Sequence, residues 1–226
     1  VYTSRNIVSF IGPLLSHYQK RFPSSYRIVR GDSGFAHKEL YKLCETLNTN
    51  YVIRLKANAT LYRLAKEVMD VFLEECSLQY SQQFYGEFEY QAKSWDRPRR
   101  VIVQVRRKAG ELIPDYLFLV TNMETRPEMV ISLYAKRGTM ENYIKECKNG
   151  FRMDKVSHQH WMTNVNRIQL MVLAYNLING FRRLTLPHEF SKMQIETLRI
   201  KLIKIAAKRV KQSRRILFKL CSHHPY

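Results

Sequence analysis

Tyr26-Arg27-Ile28-Val29-Arg30-Gly31-Asp32-Ser33-Gly34 is the stretch whose reading decides the fold. The run closes on Gly31-Asp32-Ser33-Gly34, residues suited to a tight turn, so a strand over Tyr26 to Arg30 is predicted to stop there. Phe35 to Leu47 then has helical spacing, and Tyr51 to Lys56 alternates as a second strand. Strand, helix and strand in that order build a parallel sheet, so an α/β fold is expected. Asp32 falls just beyond the C-terminal end of its strand, the edge of an open α/β sheet where ligands bind.

Working outward, Ile7 to Arg21 reads as an amphipathic helix with Phe10, Leu14, Tyr18 and Phe22 on its apolar face and Pro23 as its stop. Leu61 to Glu75 reads as another helix. Phe84 to Gln91, Arg99 to Arg107 and Tyr116 to Thr121 are β-rich and are expected to form a meander-like insertion. Thr125-Arg126-Pro127-Glu128 has helix-start chemistry, and helical spacing runs through Tyr134 towards Lys148 with a break expected at Gly138. Asn164 to Leu184 follows as a helix with Ile168, Met171, Val172, Tyr175 and Ile178 on its apolar face. The tail from Leu198 to Leu220 has no acid and is expected to pack through Leu198, Leu202, Ile205, Ile216 and Phe218. Four segments are expected: a partial core over 1–60, a helix with the β-rich insertion over 61–124, core helices over 125–190 and a basic tail over 191–226.

The chain has 226 residues, 45% of them hydrophobic, enough to bury a core. Lys and Arg outnumber Asp and Glu by 38 to 19, a formal charge of +19, so the surface field favours a polyanion, nucleic acid first. An anionic membrane surface is the other partner that charge alone allows. The longest apolar stretch, Ile168 to Ile178, is interrupted by Gln169, Tyr175 and Asn176 and is too short to span a bilayer. Val1 is not an initiator methionine and no signal-peptide pattern follows it, so a truncated start is expected. Cys44, Cys76, Cys147 and Cys221 stand far apart without a Cys-x-x-Cys pair, which argues against structural zinc and for reduced thiols in a cytosol.

The second informative pattern is Tyr134-x2-Arg137-x3-Glu141-x6-Lys148. At about 100° per residue these side chains fall within roughly a 60° arc of one helix, with Lys145 beside them. Read alone, Glu141 with Lys145 is an ordinary i,i+4 pair on a solvated face. Taken with Asp32, it is one of two carboxylates of the kind that hard Mg²⁺ prefers, and two such ions clamp the attacking and leaving oxygens of phosphoryl transfer. Arg137 and Lys148 would hold phosphates, and Tyr134 would add a hydroxyl contact or stacking. The tail cations, Arg214 and Arg215 among them, either track a phosphate backbone or form a solvated face. His158 and His160 lack partners at metal-ligand spacing and read as surface loop residues.

The same spacing resembles the signature of bacterial insertion-sequence transposases of the DDE type. Arg30-Gly31-Asp32-Ser33-Gly34-Phe35 with Glu39-Leu40, Tyr51-Val52-Ile53, Ala174-Tyr175-Asn176-Leu177, and Leu198-Arg199 through Arg214-Arg215 are similar to the thirteen-eighty branch of that group. The resemblance covers nearly the whole chain. It implies a ribonuclease H-like catalytic core, here without its first strands, with the β-rich stretch as an insertion and a helical, basic C-terminal part. It implies that Asp32 is the second catalytic aspartate and Glu141 the catalytic glutamate, both ligands of two Mg²⁺ ions for which Mn²⁺ is a substitute. Tyr134, Arg137 and Lys148 match residues that grip the transposon end. Trp95 is a candidate for stacking on a flipped base, the alternative being that it packs on its own hairpin. Implied partners are double-stranded DNA, both transposon ends and target, and a second copy in a homodimer; the implied setting is the bacterial cytoplasm and nucleoid.

One element of the pattern has no counterpart. Residues 1–31 contain no Asp or Glu, whereas the resemblance calls for a further aspartate on an earlier strand. Two readings follow: a catalytic enzyme of which this is the C-terminal part, and a DNA-binding remnant that has lost the chemistry. In either case the chain alone is expected to bind DNA without cutting it.

Overall fold

The computed structural model describes residues 6–74 and 79–221, which divide into two compact units, residues 1–137 and 138–226. In the first unit the chain runs α1 (Ile7–Arg21), β1 (Ile28–Gly31), α2 (Lys38–Thr46), β2 (Asn50–Leu55), α3 (Ala59–Glu74), β3 (Gln82–Tyr90), β4 (Arg99–Arg107), β5 (Asp115–Thr121) and α4 (Pro127–Ala135). The strands form one mixed sheet in the order β1-β2-β5-β4-β3. β1 and β2 are parallel, with α2 as their crossover, as the strand-helix-strand pattern predicts. The three β-rich segments form an antiparallel meander and join the same sheet, β5 pairing antiparallel with β2.

Side-chain alternation divides the core between the two faces of this sheet. Tyr51, Ile53 and Leu55 of β2, Val101, Val103 and Val105 of β4, and Phe118 and Val120 of β5 face α1, α2 and α3. Val52, Ile102 and Leu119 point the other way, onto Val130, Ile131 and Tyr134 of α4. β4 is buried on both faces, which explains its nearly continuous apolar run. Gly86 is where α3 crosses β3 most closely: a Cβ there would lie 2.9 Å from Val68 and 3.0 Å from the Met69 sulfur. Asn122 ties β2 to the chain beyond β5, accepting from the Tyr51 amide at 2.9 Å and donating to the Thr49 carbonyl at 3.1 Å.

The apolar face expected for α1 is the wrong one. Ile7, Ile11 and Leu15 pack on the core, while Phe10, Leu14, Tyr18 and Phe22 are exposed. Two adjacent stripes of this helix have apolar spacing, and periodicity does not say which of them the sheet covers.

The second unit contains α5 (Arg137–Phe151), α6 (Trp161–Leu184) and α7 (Ile195–Leu198), which continues as one π turn over Arg199–Ile203. Cys147, Tyr175 and Ile195 form its buried centre, with Phe151, Met153 and Ile178 against them. The tail is not helical beyond this point. Ala207–Gln212 and Arg215–Leu220 form an antiparallel hairpin, β6 and β7, about the two-residue turn Ser213-Arg214. Val210, Ile216 and Phe218 favour extended backbone, and the alternation Ile216-x-Phe218-x-Leu220 has the period of a strand. Leu198 is buried as expected, but Ile216 is 56% and Phe218 69% exposed, so neither packs.

Among the described residues no helix is long and apolar enough to cross a membrane. Cys44, Cys147 and Cys221 are free thiols, and Cys76 lies outside the described residues.

Candidate nucleic-acid and metal site

Asp32 follows β1 directly and caps a short 3₁₀ turn, Ser33–Phe35. Gly31 makes that turn possible, since a Cβ on it would meet the Phe35 side chain at 3.0 Å. One carboxylate oxygen of Asp32 accepts the Gly34 amide at 3.0 Å; the other accepts a guanidinium N–H of Arg137 at 3.2 Å. Arg30, two residues earlier, donates to the Leu133 carbonyl at 2.7 Å and so ties β1 to the last turn of α4. The structure thus brings Asp32 together with Arg137, one of the residues that the spacing singles out. Their side chains are 45% and 32% exposed, and a pair this open contributes at most about 1 kcal/mol to folding.

Tyr134 is placed differently from the expectation. α4 ends at Ala135, and a turn at Lys136 precedes α5, so Tyr134 does not share a helix with Arg137 and Lys148, and the single arc is broken. Its ring is 9% exposed within the core of α4 and the sheet. That burial leaves little of the ring for base stacking.

Trp95 is a core residue. It is 7% exposed, set edge-on against Tyr41 and Tyr90, with the Arg99 guanidinium 5.6 Å over its ring. Arg99 itself donates to both oxygens of Glu45, at 3.1 and 3.3 Å, and to Asp96 at 3.1 Å. Burial would raise the Glu45 carboxyl, but hydrogen bonds from Arg99, Tyr51 and Arg97 outweigh it and hold the group below the usual carboxylate range. A base could stack on Trp95 only by dismantling this cluster, so the alternative weighed for it, packing beside its own hairpin, is the one the structure supports.

In the second unit Glu141, Lys145 and Lys148 are exposed on α5, at positions that share one side of a helix. Five residues beyond Glu141 lies Glu146, which sequence reasoning missed. Its carboxylate accepts from Tyr175 Oη at 3.1 Å, Arg182 at 3.2 Å and the Ile195 amide at 3.0 Å, joining α5 to α6 and α7. The only signal was an acid next to buried Cys147, facing away from Glu141. His158 and His160 are exposed loop residues, the His160 amide donating to His158 Nδ1. Arg214 and Arg215 are exposed at the hairpin turn.

Asp32 and Glu141 have the hard oxygen donors that a divalent ion requires. Among the described residues, however, no group of three His, Cys, Asp or Glu side chains converges as a metal site. The donors fit the ion in chemistry.

A search against curated proteins finds no match. The family model described as transposase DDE domain group 1 matches residues 1–226, the whole length. With a basic chain, a mixed α/β sheet and an acid paired with arginine at a strand end, that match places the chain in the DDE transposase domain family, group 1.

Proposed function

We propose that this chain serves DNA transposition, contributing Asp32 and Glu141 as carboxylate ligands for Mg²⁺, with Mn²⁺ as a substitute, in cleavage of insertion-sequence ends and strand transfer into target DNA. The observation that carries the reading is Asp32 just past the C-terminal end of a parallel strand, with Arg137 on its carboxylate, in a chain matched along its length by the DDE family. The mixed sheet, with β1 and β2 parallel beside an antiparallel meander, supports a ribonuclease H-like core, and the Tyr134, Arg137, Glu141 and Lys148 spacing supports the thirteen-eighty branch. When bound, divalent ions polarise the scissile phosphate and its attacking oxygen. The protein's own part is to bind and orient. Arg137 leaves Asp32 for a DNA phosphate when the acid takes up its ligand role, Lys145 and Lys148 hold further phosphates, and the Tyr134 hydroxyl adds a contact. The protein acts in a bacterial nucleoid, as a homodimer on paired ends.

The resemblance calls for a further aspartate that residues 1–31 do not supply, and on this reading the 226-residue chain binds duplex DNA without cutting it unaided. The second reading is a DNA-binding remnant that keeps the basic surface and lacks the chemistry. Strand transfer by an enzyme that supplies the third carboxylate is the test. Asp32→Asn and Glu141→Gln should each abolish it at unchanged protein level, and transfer surviving either substitution would sink the assignment. Mg²⁺-dependent nicking of supercoiled plasmid by the purified chain would refute the claim that it needs a third acid.

A further inference from the structure

The β6–β7 hairpin bears Lys208, Arg209, Lys211, Arg214, Arg215 and Lys219 and no acid. Its register places Lys208 opposite Lys219, Arg209 opposite Phe218, Val210 opposite Leu217 and Lys211 opposite Ile216. Side chains alternate across the ribbon, so Arg209, Lys211, Ile216, Phe218 and Leu220 share one face, and Lys208, Lys219, Arg215, Val210 and Leu217 the other. Like charges directly opposite each other on a sheet are destabilising, and the Lys208–Lys219 pair has no acid in the hairpin to offset it. Ile216, Phe218 and Leu220 are more than half exposed. The ribbon therefore presents cations on both faces, and apolar groups that do not pack.

We propose that this hairpin is a duplex-DNA reader that lies in the major groove, with Arg209, Lys211, Ile216 and Phe218 towards the base edges and the remaining cations near the phosphates. The proposal rests on the reading of the chain as a transposase and adds an element that no catalytic residue belongs to. The B-DNA major groove, about 12 Å wide, admits a two-stranded ribbon as it stands, whereas the minor groove, about 6 Å wide, takes one only when the duplex is deformed to widen it. A six-residue strand extends roughly 20 Å, long enough to reach across several base pairs, each rising ~3.4 Å along the helix axis. Arginine pairs with guanine edges, and apolar side chains meet thymine methyls, so the mixed face has partners of both kinds there. A bilayer surface fits less well, because a ribbon that enters lipid gathers its apolar groups on one side, and here Arg209 and Lys211 stand among them. A second copy fits less well again, since two such ribbons repel.

The test uses the full 226-residue chain and a fluorescein-labelled mixed-sequence duplex, with affinity measured by anisotropy from about 50 to about 200 mM salt. Replacing the phosphate-facing Lys208, Arg215 and Lys219 with glutamine should make the slope of log affinity against log salt shallower by about 2.7, at ~0.9 for each phosphate no longer neutralised. A charge-keeping variant, Lys208→Arg with Arg209→Lys, should retain the slope, and far-UV circular dichroism should be unchanged in both. Phe218→Ser, which keeps every charge, should weaken binding at unchanged slope. The major-groove ligand methyl green should displace the chain, and the minor-groove ligand netropsin should not. If the wild type binds and the glutamine variant matches it, the ribbon is not the reader and the transposase reading stands. Tighter binding to phosphatidylserine vesicles than to duplex, or a change of oligomeric state in Phe218→Ser, would overturn the proposal in favour of lipid or a second copy. If the wild type binds no duplex, both readings fall.

Discussion

Glu146→Ala should loosen the frame that holds α5, and its effect can be worked from three hydrogen bonds. The Glu146 and Arg182 side chains are only 13% and 10% exposed. Removing the carboxylate takes the acceptor from Tyr175, Arg182 and the Ile195 amide together. Hydrogen bonds to a charged group contribute about 1.5–3 kcal/mol each, and stripping one partner from a buried ion pair costs about 3–5 kcal/mol. Arg182 keeps the Met193 carbonyl and Asn179 as acceptors, so the lower half of that range, about 3–4 kcal/mol, is expected. The assay is amide hydrogen exchange by mass spectrometry on the segment containing Ile195, whose N–H is one of the orphaned donors. A local destabilisation of that size accelerates exchange by roughly two to three orders of magnitude. Glu146→Gln should fall between, because the amide oxygen can still accept. Replacing Glu146 and Arg182 together with leucines should recover part of the stability, since apolar groups of similar volume offset a deleted buried pair. If Glu146→Ala speeds exchange by less than about tenfold, or no more than the exposed control Lys148→Ala, the carboxylate is not what secures α5 to α6 and α7.

Asp32→Asn should change the stability of the first unit by less than about 1 kcal/mol in urea titration, because its ion pair with Arg137 is open to solvent; a larger drop would make Asp32 structural. Trp95→Ala should cost about 3–5 kcal/mol, read as a drop in the urea midpoint, since it empties the space between Tyr41, Tyr90 and Arg99; unchanged stability with weakened DNA binding would restore the stacking role. The folded Glu45 carboxyl titrates below its ordinary value of 4.5, so its pairing stabilises the fold above that pH and is lost as pH falls through the lower folded value. The stability gap between wild type and Glu45→Gln should therefore be full at pH 7 and close below pH 4.5, and a gap that persists in strong acid would contradict this. Burial, with Glu45 beside it, pushes the Cys44 thiol up to about 12, and burial also raises that of Cys147. Peptide mapping after iodoacetamide should show exposed Cys221 alkylated in the native protein, and Cys44 and Cys147 only after unfolding.

The parallel β1-α2-β2 unit and the position of Asp32 at its end are legible because glycine, aspartate and alternation are local signals. The three strands of the meander are legible for the same reason, but their membership of the same sheet is not, since strand pairing joins residues far apart in the chain. The buried stripe of α1 escapes sequence reading because a helix with two apolar stripes has one period and two solutions. The resemblance implies a helical tail, although the alternation in Ile216-x-Phe218-x-Leu220 already has the period of a strand. Spacing puts Tyr134 on the same helix as Arg137 because Lys136, where the helix breaks, is a good helix former and leaves no mark.

The strand-helix-strand pattern, the excess of cations and the turn at Asp32 determined that this is a basic α/β protein with an acid at a strand end, and the spacing around Glu141 carried the resemblance to DNA transposases, because each is read from the order of residues in the chain. Tertiary structure alone decided that Arg137 meets Asp32, 105 residues away, that Trp95 and Tyr134 are spent on the core, and that Glu146 rather than its neighbours anchors α5. Burial and ion pairing depend on what the rest of the fold brings against a side chain, and no local pattern carries that information.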